Sequence, residues 1–292
     1  MLKVACIPAH NVEKMIYDVV NNSKRFVDMV IVCDDGSADD TIKQASKAGA
    51  VIISHEKNLG KGAALKSLFN YCTKINADVM VTIDGDGQFL SEEIPKLIEP
   101  ILENYVDVVI GNRYSDDAEM PAYRKTGNKI LDKVSKLASD LPFDDTQSGF
   151  RAYSKSALKT IHFTTNGFGA DSEILINASQ NNLKISEVDV KVIYDTGHNT
   201  STKNPISHTG EVMTSLIEQV ALRHPLKYLG IPGFLLLISG SIFGIYVISL
   251  FNDTRYFSVP FTLLTLGTVI IGSVLILMAV VLFSIVRTRR YD

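Results

Sequence analysis

The 292-residue chain reads as an α/β protein, a mostly parallel sheet flanked by helices, followed by a two-helix transmembrane hairpin. Two observations predict this. Short apolar runs alternate with amphipathic stretches through the first half, and such alternation predicts parallel strands with helices on both faces. Further on, Tyr228–Asn252 and Tyr256–Val286 contain no charged residue. Each run exceeds the ~20 residues that carry a helix across a bilayer. The expected organisation is a soluble domain over 1–222 and a membrane domain over 223–292, with spans at about 229–251 and 257–286.

Taken in order, Lys3–Ile7, Met29–Cys33, Val51–Ser54, Val79–Ile83 and Asp107–Ile110 are short, apolar and rich in β-branched residues, so they predict strands. Between them, Glu13–Lys24, Ala38–Ala48, Gly62–Thr73 and Glu92–Glu103 carry the helical spacing. Ser91 is expected to cap the last of these, with Glu92 and Glu93 in its first turn. The second half is less regular. Helical patterns at Tyr123–Ser139 and Asp171–Asn181 flank the turn-rich Asp144–Gly149, and a strand is expected near Ile185–Val192. Tyr194–His208 reads as a loop and Glu211–Arg223 as an amphipathic helix leading to the membrane.

Charge divides along the same line. Residues 1–222 hold 23 Lys/Arg against 30 Asp/Glu, a balance of −7, whereas the remainder is +4. So acidic a globule is a poor nucleic-acid binder. The basic residues Arg223, Lys227, Arg287, Arg289 and Arg290 flank the outer ends of the two spans, which predicts both chain ends and the soluble domain on the cytoplasmic side. The location expected is the cell membrane, or the endoplasmic reticulum membrane in a eukaryote. Met1–Ile7 is strand-length and breaks at Pro8, so no signal peptide is expected there. Cys6, Cys33 and Cys72 lack Cys-x-x-Cys spacing and are expected to be buried packing residues of a reducing compartment.

The apolar run Val79–Ile83 stops at Asp84-Gly85-Asp86-Gly87-Gln88. Asp84 and Asp86, two apart, share one side of an extended segment, and Gly85 and Gly87 suggest room for a bulky group at the backbone. Hard carboxylate oxygens at a strand end suit Mg²⁺ or Mn²⁺ carrying a diphosphate. Asp34-Asp35-Gly36-Ser37 ends the run Met29–Cys33 in the same way. In open α/β sheets ligands sit outside the carboxyl ends of the strands, where all four acids fall. No Gly-x-Gly-x-x-Gly follows the first strand, and Asn58-Leu59-Gly60-Lys61-Gly62 lacks the Walker spacing, so a close helix-to-loop contact is its expected purpose. His10, His198 and His208 lie far apart and read as polar contacts rather than a metal cluster.

The motifs Ile7-Pro8-Ala9-His10-Asn11, Asp34–Ser37, Asn58–Gly62, Asp84–Gln88, Gly111-Asn112-Arg113-Tyr114 and Gln147-Ser148-Gly149-Phe150-Arg151 occur in that order. Together they resemble the family-2 glycosyltransferases of the polyprenyl-phosphate hexosyltransferase type, the group of dolichol-phosphate mannose synthase. The resemblance covers roughly 1–222 and implies a GT-A fold. The implied activity moves a hexose, mannose or glucose favoured, from a nucleotide diphosphate to a polyprenyl or dolichyl phosphate at the bilayer, with inversion. It implies that Pro8, His10, Asn11 and Asp35 hold the nucleoside, and that Asp84, Asp86 and Gln88 hold metal and diphosphate with Gly85 beside them. It further implies that Arg113 and Arg124 contact phosphate and that Lys203 assists. Asp86, Arg113 and Arg124 are the expected catalytic residues, and Asp171 and Glu173 match an acidic motif suited to sugar hydroxyls.

His10 stands where the family has Tyr, and Val12 where it has Glu, with Glu13 adjacent. A transferase building polysaccharide or glycolipid is the alternative, but the chain has no Trp for the Gln-x-x-Arg-Trp motif of processive synthases. A non-catalytic sugar-nucleotide binder would be expected to carry a damaged metal motif, whereas Asp84, Asp86 and Gln88 are all present.

Overall fold

The computed structural model of the chain describes residues 1–103, 105–113, 143, 145–167, 169–193 and 225–288. Two compact units are present, Met1–Leu216 and Ile217–Asp292. Among the described residues of the first, seven strands form one sheet: β1 Lys3–Ala9, β2 Met29–Asp34, β3 Val51–Ser54, β4 Val79–Thr82, β5 Val108–Asn112, β6 Arg151–Ser154 and β7 Ile185–Asp189. Their spatial order is β3-β2-β1-β4-β6-β5-β7. All neighbours pair in parallel except β6, which runs antiparallel to β4 and to β5. The mostly parallel sheet expected from the sequence is present. The sequence reading missed β6, because four residues beginning with Arg151 are too few to show a period.

Alternation along the central strands makes two cores. Ala5, Ile7 and Ala9 of β1, Val30 and Val32 of β2, and Val79 and Val81 of β4 face one side. They meet apolar residues of α1 (Ile16–Ser23), α2 (Thr41–Lys47) and α4 (Ile94–Leu102). Val4, Cys6, Ile31, Cys33 and Met80 face the other, against α3 (Lys61–Lys74), α5 (Lys155–Thr160) and α6 (Ala170–Gln180). Burial on both faces explains why these strands read as continuous apolar runs. The three cysteines are buried and free, with Cys6 and Cys72 Sγ 3.3 Å apart. Burial, aided by the acids Asp35 and Asp34, pushes the Cys33 thiol up to about 12, which keeps it unreactive.

Register aligns the carboxyl ends: Ala9 lies beside Asp34, Asp34 beside Ser54, and Cys6 beside Thr82. The loops leaving β1, β2, β3 and β4 therefore emerge along one edge. The expected cap by Ser91 is not formed. Ser91 is buried at the start of a 3₁₀ turn, and its hydroxyl meets Ser23 Oγ at 3.1 Å, because α1 and that turn pack against each other. The expected helices Tyr123–Ser139 and Glu211–Arg223, and the loop Tyr194–His208, lie outside the described residues.

In the second unit, one π-helical stretch at Leu226–Gly230 leads into α7 (Ile231–Thr254), and α8 (Val259–Thr288) follows. Both helices are long and apolar enough to cross a membrane. The turn between them falls at 255–258, slightly later than spans at about 229–251 and 257–286 would place it. Thr254 Oγ1 donates to Leu250 O within the last turn, and Arg255 at φ 54° ends the helix. Small residues let the two helices touch. A Cβ on Gly233 would lie 2.9 Å from Gly272 O, and one on Gly240 2.7 Å from Thr268 Oγ1. Such close backbone approach is the usual means of helix association in lipid.

Candidate active site

The loops leaving β1 and β2 are stitched together. His10 Nδ1 lies 2.9 Å from Asp35 O, Asn11 N donates to Ser37 Oγ at 2.9 Å, and Ala38 N donates to Asn11 Oδ1 at 2.8 Å. Asn11 takes φ 55°, a left-handed conformation that Asn tolerates better than most residues. Pro8 is the last residue but one of β1, opposite Cys33. Asp34 is buried. Its Oδ2 accepts from Ser37 N at 3.0 Å, and its Oδ1 has no partner among the described residues. Asp35, also buried, binds the protein itself: His55 Nδ1 at 2.7 Å, Leu59 N at 3.0 Å and Gly60 N at 2.7 Å. Three of about four acceptor positions of this carboxylate are thus used in anchoring the loop before α3.

That anchoring delivers Lys61, the first residue of α3. Its ammonium lies 2.9 Å from Asp84 Oδ1 and 3.2 Å from Asp171 Oδ2, at the starts of the β4 loop and of α6. Burial opposes its charge, but Asp171 and Asp84 outweigh burial and raise its pKa, so Lys61 stays protonated. Asp86 behaves oppositely. Burial and then the neighbouring Asp84 carboxylate push it up to about 6, against smaller lowering effects from Gln88 N–H, Lys61 and Arg113. Gln88 N donates to Asp86 Oδ1 at 3.1 Å, and Gln88 O accepts from Ile193 N at 2.9 Å, which fixes this turn.

Arg113, just past β5, is gripped by the fully buried Asp145: Nε to Oδ2 at 2.6 Å, Nη2 to Oδ1 at 2.7 Å and backbone N to Oδ2 at 3.0 Å. Asp145 N in turn donates to Glu187 Oε1 of β7 at 2.8 Å. Arg151, fully buried, donates to Asp171 O at 2.6 Å and Thr146 O at 2.8 Å, tying β6 to the start of α6. Glu173 accepts from Thr164 N, Thr164 Oγ1 and Thr165 N at 2.8, 3.0 and 2.8 Å, so its carboxylate organises that loop. Arg124 and Lys203 lie outside the described residues.

Residues 4–162 match the family model described as glycosyl transferase family 2. The chain belongs to glycosyl transferase family 2. It is 37% identical over 211 residues to a Methanococcus voltae protein named UDP-N-acetylglucosamine--dolichyl-phosphate N-acetylglucosaminyltransferase, covering 64% of this chain and 84% of the relative. It is 33% identical to a dolichyl-phosphate hexose transferase of Haloferax volcanii, covering 62% and 78%. Among solved structures, glucosyl-3-phosphoglycerate synthase of Mycobacterium tuberculosis with Mn²⁺ and UDP-glucose superposes with a TM-score of 0.61 at 23% identity, covering 75% of this chain and 79% of that one. That likeness bears on the fold, which is GT-A-like.

Within this glycosyltransferase, one expectation about the glycines is corrected. A Cβ on Gly85 would meet Val12, Ile7 and Ile16 at 3.3–3.4 Å, and one on Gly87, at φ 73°, would meet Met15 Cε at 2.7 Å. The room beside these glycines is filled by β1, α1 and the segment joining them, not left for a ligand. The glycine that opens onto the acids is Gly149, where a Cβ would stand 2.5 Å from Asp84 Oδ2 and 2.7 Å from Lys61 Nζ. Asn58–Gly62 does make the expected close contact, since a Cβ on Gly60 or Gly62 would strike Asn166 O or Thr165 O at 2.4 and 2.3 Å.

Sequence reasoning missed Lys61, Asp145 and His55. Lys61 sits inside Asn58–Gly62, whose expected purpose is a close helix-to-loop contact. Asp145 and His55 have partners 32 and 20 residues away that no local pattern marks.

Proposed function

We propose that this glycosyltransferase moves a hexose or N-acetylhexosamine from a nucleoside diphosphate to a polyprenyl or dolichyl phosphate at the membrane surface, with a divalent cation at Asp84 and Asp86. The observation that carries the reading is the acid pair at the carboxyl end of β4, with Lys61 in contact and Arg113 close enough to act on Asp86. Names of relatives that act on dolichyl phosphate support the acceptor, and the two apolar helices support a membrane setting.

The residues fit the metal. Asp84 and Asp86 offer hard oxygen donors, and after burial, the larger cause, it is the Asp84 carboxylate that pushes Asp86 up, a repulsion that a cation between them would relieve. Gln88 is the third proposed ligand, and the remaining positions fall to diphosphate and water. When bound, Mg²⁺ or Mn²⁺ supplies neutralisation of the leaving diphosphate.

The chain's own part is to hold and orient. Pro8, His10, Asn11 and the Asp34–Asp35 loop are proposed to frame the nucleoside, with Arg113, Arg124 and Lys203 turned to phosphate. An acceptor phosphate oxygen forms the new bond to the anomeric carbon as the bond from that carbon to the diphosphate oxygen breaks, and the diphosphate leaves with the electron pair. An acceptor already ionised at neutral pH has no proton to lose, so no strong general base is needed. Inversion follows from attack opposite the leaving group. The soluble domain and both ends of the hairpin are proposed to face the cytoplasm, where nucleotide sugars are made.

The test incubates the full chain in membranes with labelled GDP-mannose, UDP-glucose and UDP-N-acetylglucosamine in parallel, with polyprenyl phosphate. One donor is expected to label the lipid, and EDTA to stop it. Label entering polysaccharide without the lipid phosphate, or no transfer from any donor, overturns the reading.

A further inference from the structure

Lys61 stands where the charges of the site converge. Its ammonium touches one carboxylate of the proposed metal pair, Asp84, and one outside it, Asp171. Gly149 walls it in, since a Cβ there would come within 2.7 Å of Nζ. Its backbone is held as firmly. The preceding Gly60, at φ 101°, gives its N–H to Asp35, and the following Gly62 is pressed against Thr165 O. Any displacement of the charge must therefore come from the side chain's own methylenes. Arg113 is held by Asp145 through two side-chain bonds, and Lys61 is paired with Asp84.

An ammonium 2.9 Å from Asp84 Oδ1 and a divalent ion on the same carboxylate repel each other. Asp86 and Asp171 offset part of this repulsion, and a nucleoside diphosphate brings the further negative charge that lets both cations sit close together. We propose that Lys61 is a built-in counter-cation that holds Asp84 while no diphosphate is bound, competes with the divalent ion for that carboxylate, and so couples ion binding to diphosphate binding. Asp171 is the positioning residue that retains the ammonium at the site. This rests on the reading of Asp84 and Asp86 as the metal and diphosphate site. It adds an order of assembly: the ion binds weakly alone and strongly with nucleotide, and by linkage the nucleotide gains as much from the ion.

The experiment titrates Mn²⁺ into the full chain in detergent, by calorimetry or by the electron paramagnetic resonance of free Mn²⁺. Each titration is run without nucleotide, with UDP and with GDP. Wild type is expected to bind Mn²⁺ at least about ten-fold more tightly with one of the two nucleotides. Lys61→Met, and Lys61→Gln, which keeps a hydrogen-bond donor should the Met variant misfold, are expected to bind Mn²⁺ about ten-fold more tightly than wild type without nucleotide and to gain little from it. Unchanged or weaker nucleotide-free affinity in the neutral variants overturns the counter-cation, while Mn²⁺ binding abolished by Asp86→Asn leaves the metal-site reading standing. Mn²⁺ binding that survives Asp86→Asn overturns both.

Discussion

Asp145 holds Arg113 by both edges of its carboxylate, 2.6 Å from Nε and 2.7 Å from Nη2, and also accepts the Arg113 backbone N–H at 3.0 Å. The guanidinium is fixed before any substrate arrives, with its orientation set from a segment 32 residues further along the chain. Lys in its place would keep the charge but lose the fork. Arg113→Lys is therefore expected to lower kcat about ten-fold or more while the protein remains folded. Asp145→Asn removes a buried counter-charge from a mostly buried guanidinium and is expected to cost about 3 kcal/mol of stability. Steady-state kinetics and denaturant unfolding check the pair, and unchanged kinetics for Arg113→Lys would return Arg113 to a structural role.

Asp86 is expected to be needed for catalysis and to be a burden to the fold. Asp86→Asn should reduce transfer by about a hundred-fold or more. The folded-state pKa of about 6 lies above the ordinary aspartate value of 3.8, so the folded chain holds this proton more tightly than the unfolded chain. Its favourable contribution is complete below 3.8 and is lost as the pH rises through 6. In EDTA at pH 7 the Asn variant is thus expected to melt higher than wild type, and the gap should close as the pH falls toward 4. A melting point for Asp86→Asn at or below wild type at pH 7 would contradict this.

Gly149→Ala puts a methyl group 2.5 Å from Asp84 Oδ2 and 2.7 Å from Lys61 Nζ. Neither atom is the idle end of a surface chain, because the two are paired with each other. Overpacking of this kind costs about 1–3 kcal/mol. The variant is expected to lose most of its activity, with a lower melting point. A fully active Gly149→Ala would mean that Asp84 and Lys61 part without consequence.

Glu173 carries an acid-stability prediction. Burial raises its pKa, but hydrogen bonds from Thr165 and Thr164 outweigh burial and leave it below 4.5. Its stabilisation is therefore present above pH 4.5 and is lost as the pH falls through the lower folded value. Glu173→Gln should cost about 1 kcal/mol at pH 7, and the difference from wild type should vanish in strong acid. Unfolding curves at pH 7 and pH 3 measure both ends, and an equal deficit at the two values would rule out the carboxylate as the cause.

What the sequence determined by itself is whatever depends on a repeating local pattern. The runs Met29–Cys33 and Val79–Ile83 were legible as strands because both faces are buried, so nearly every residue in them is apolar. The two long C-terminal helices were legible because Tyr228–Asn252 and Tyr256–Val286 run without a charged residue. The acids Asp34, Asp35, Asp84 and Asp86 could be placed at one edge because strand ends in a parallel sheet share a side.

The tertiary structure alone decided which groups those acids meet. Lys61 finds Asp84 and Asp171 across 23 and 110 positions of sequence, Asp35 is bound by its own loop, and Gly149 presses on an ion pair from the far side. The short antiparallel β6, and Ser91 turned toward Ser23, belong with these. Such contacts are set by where separate elements dock, and docking follows from burial summed over the whole core, which leaves no period in the local sequence.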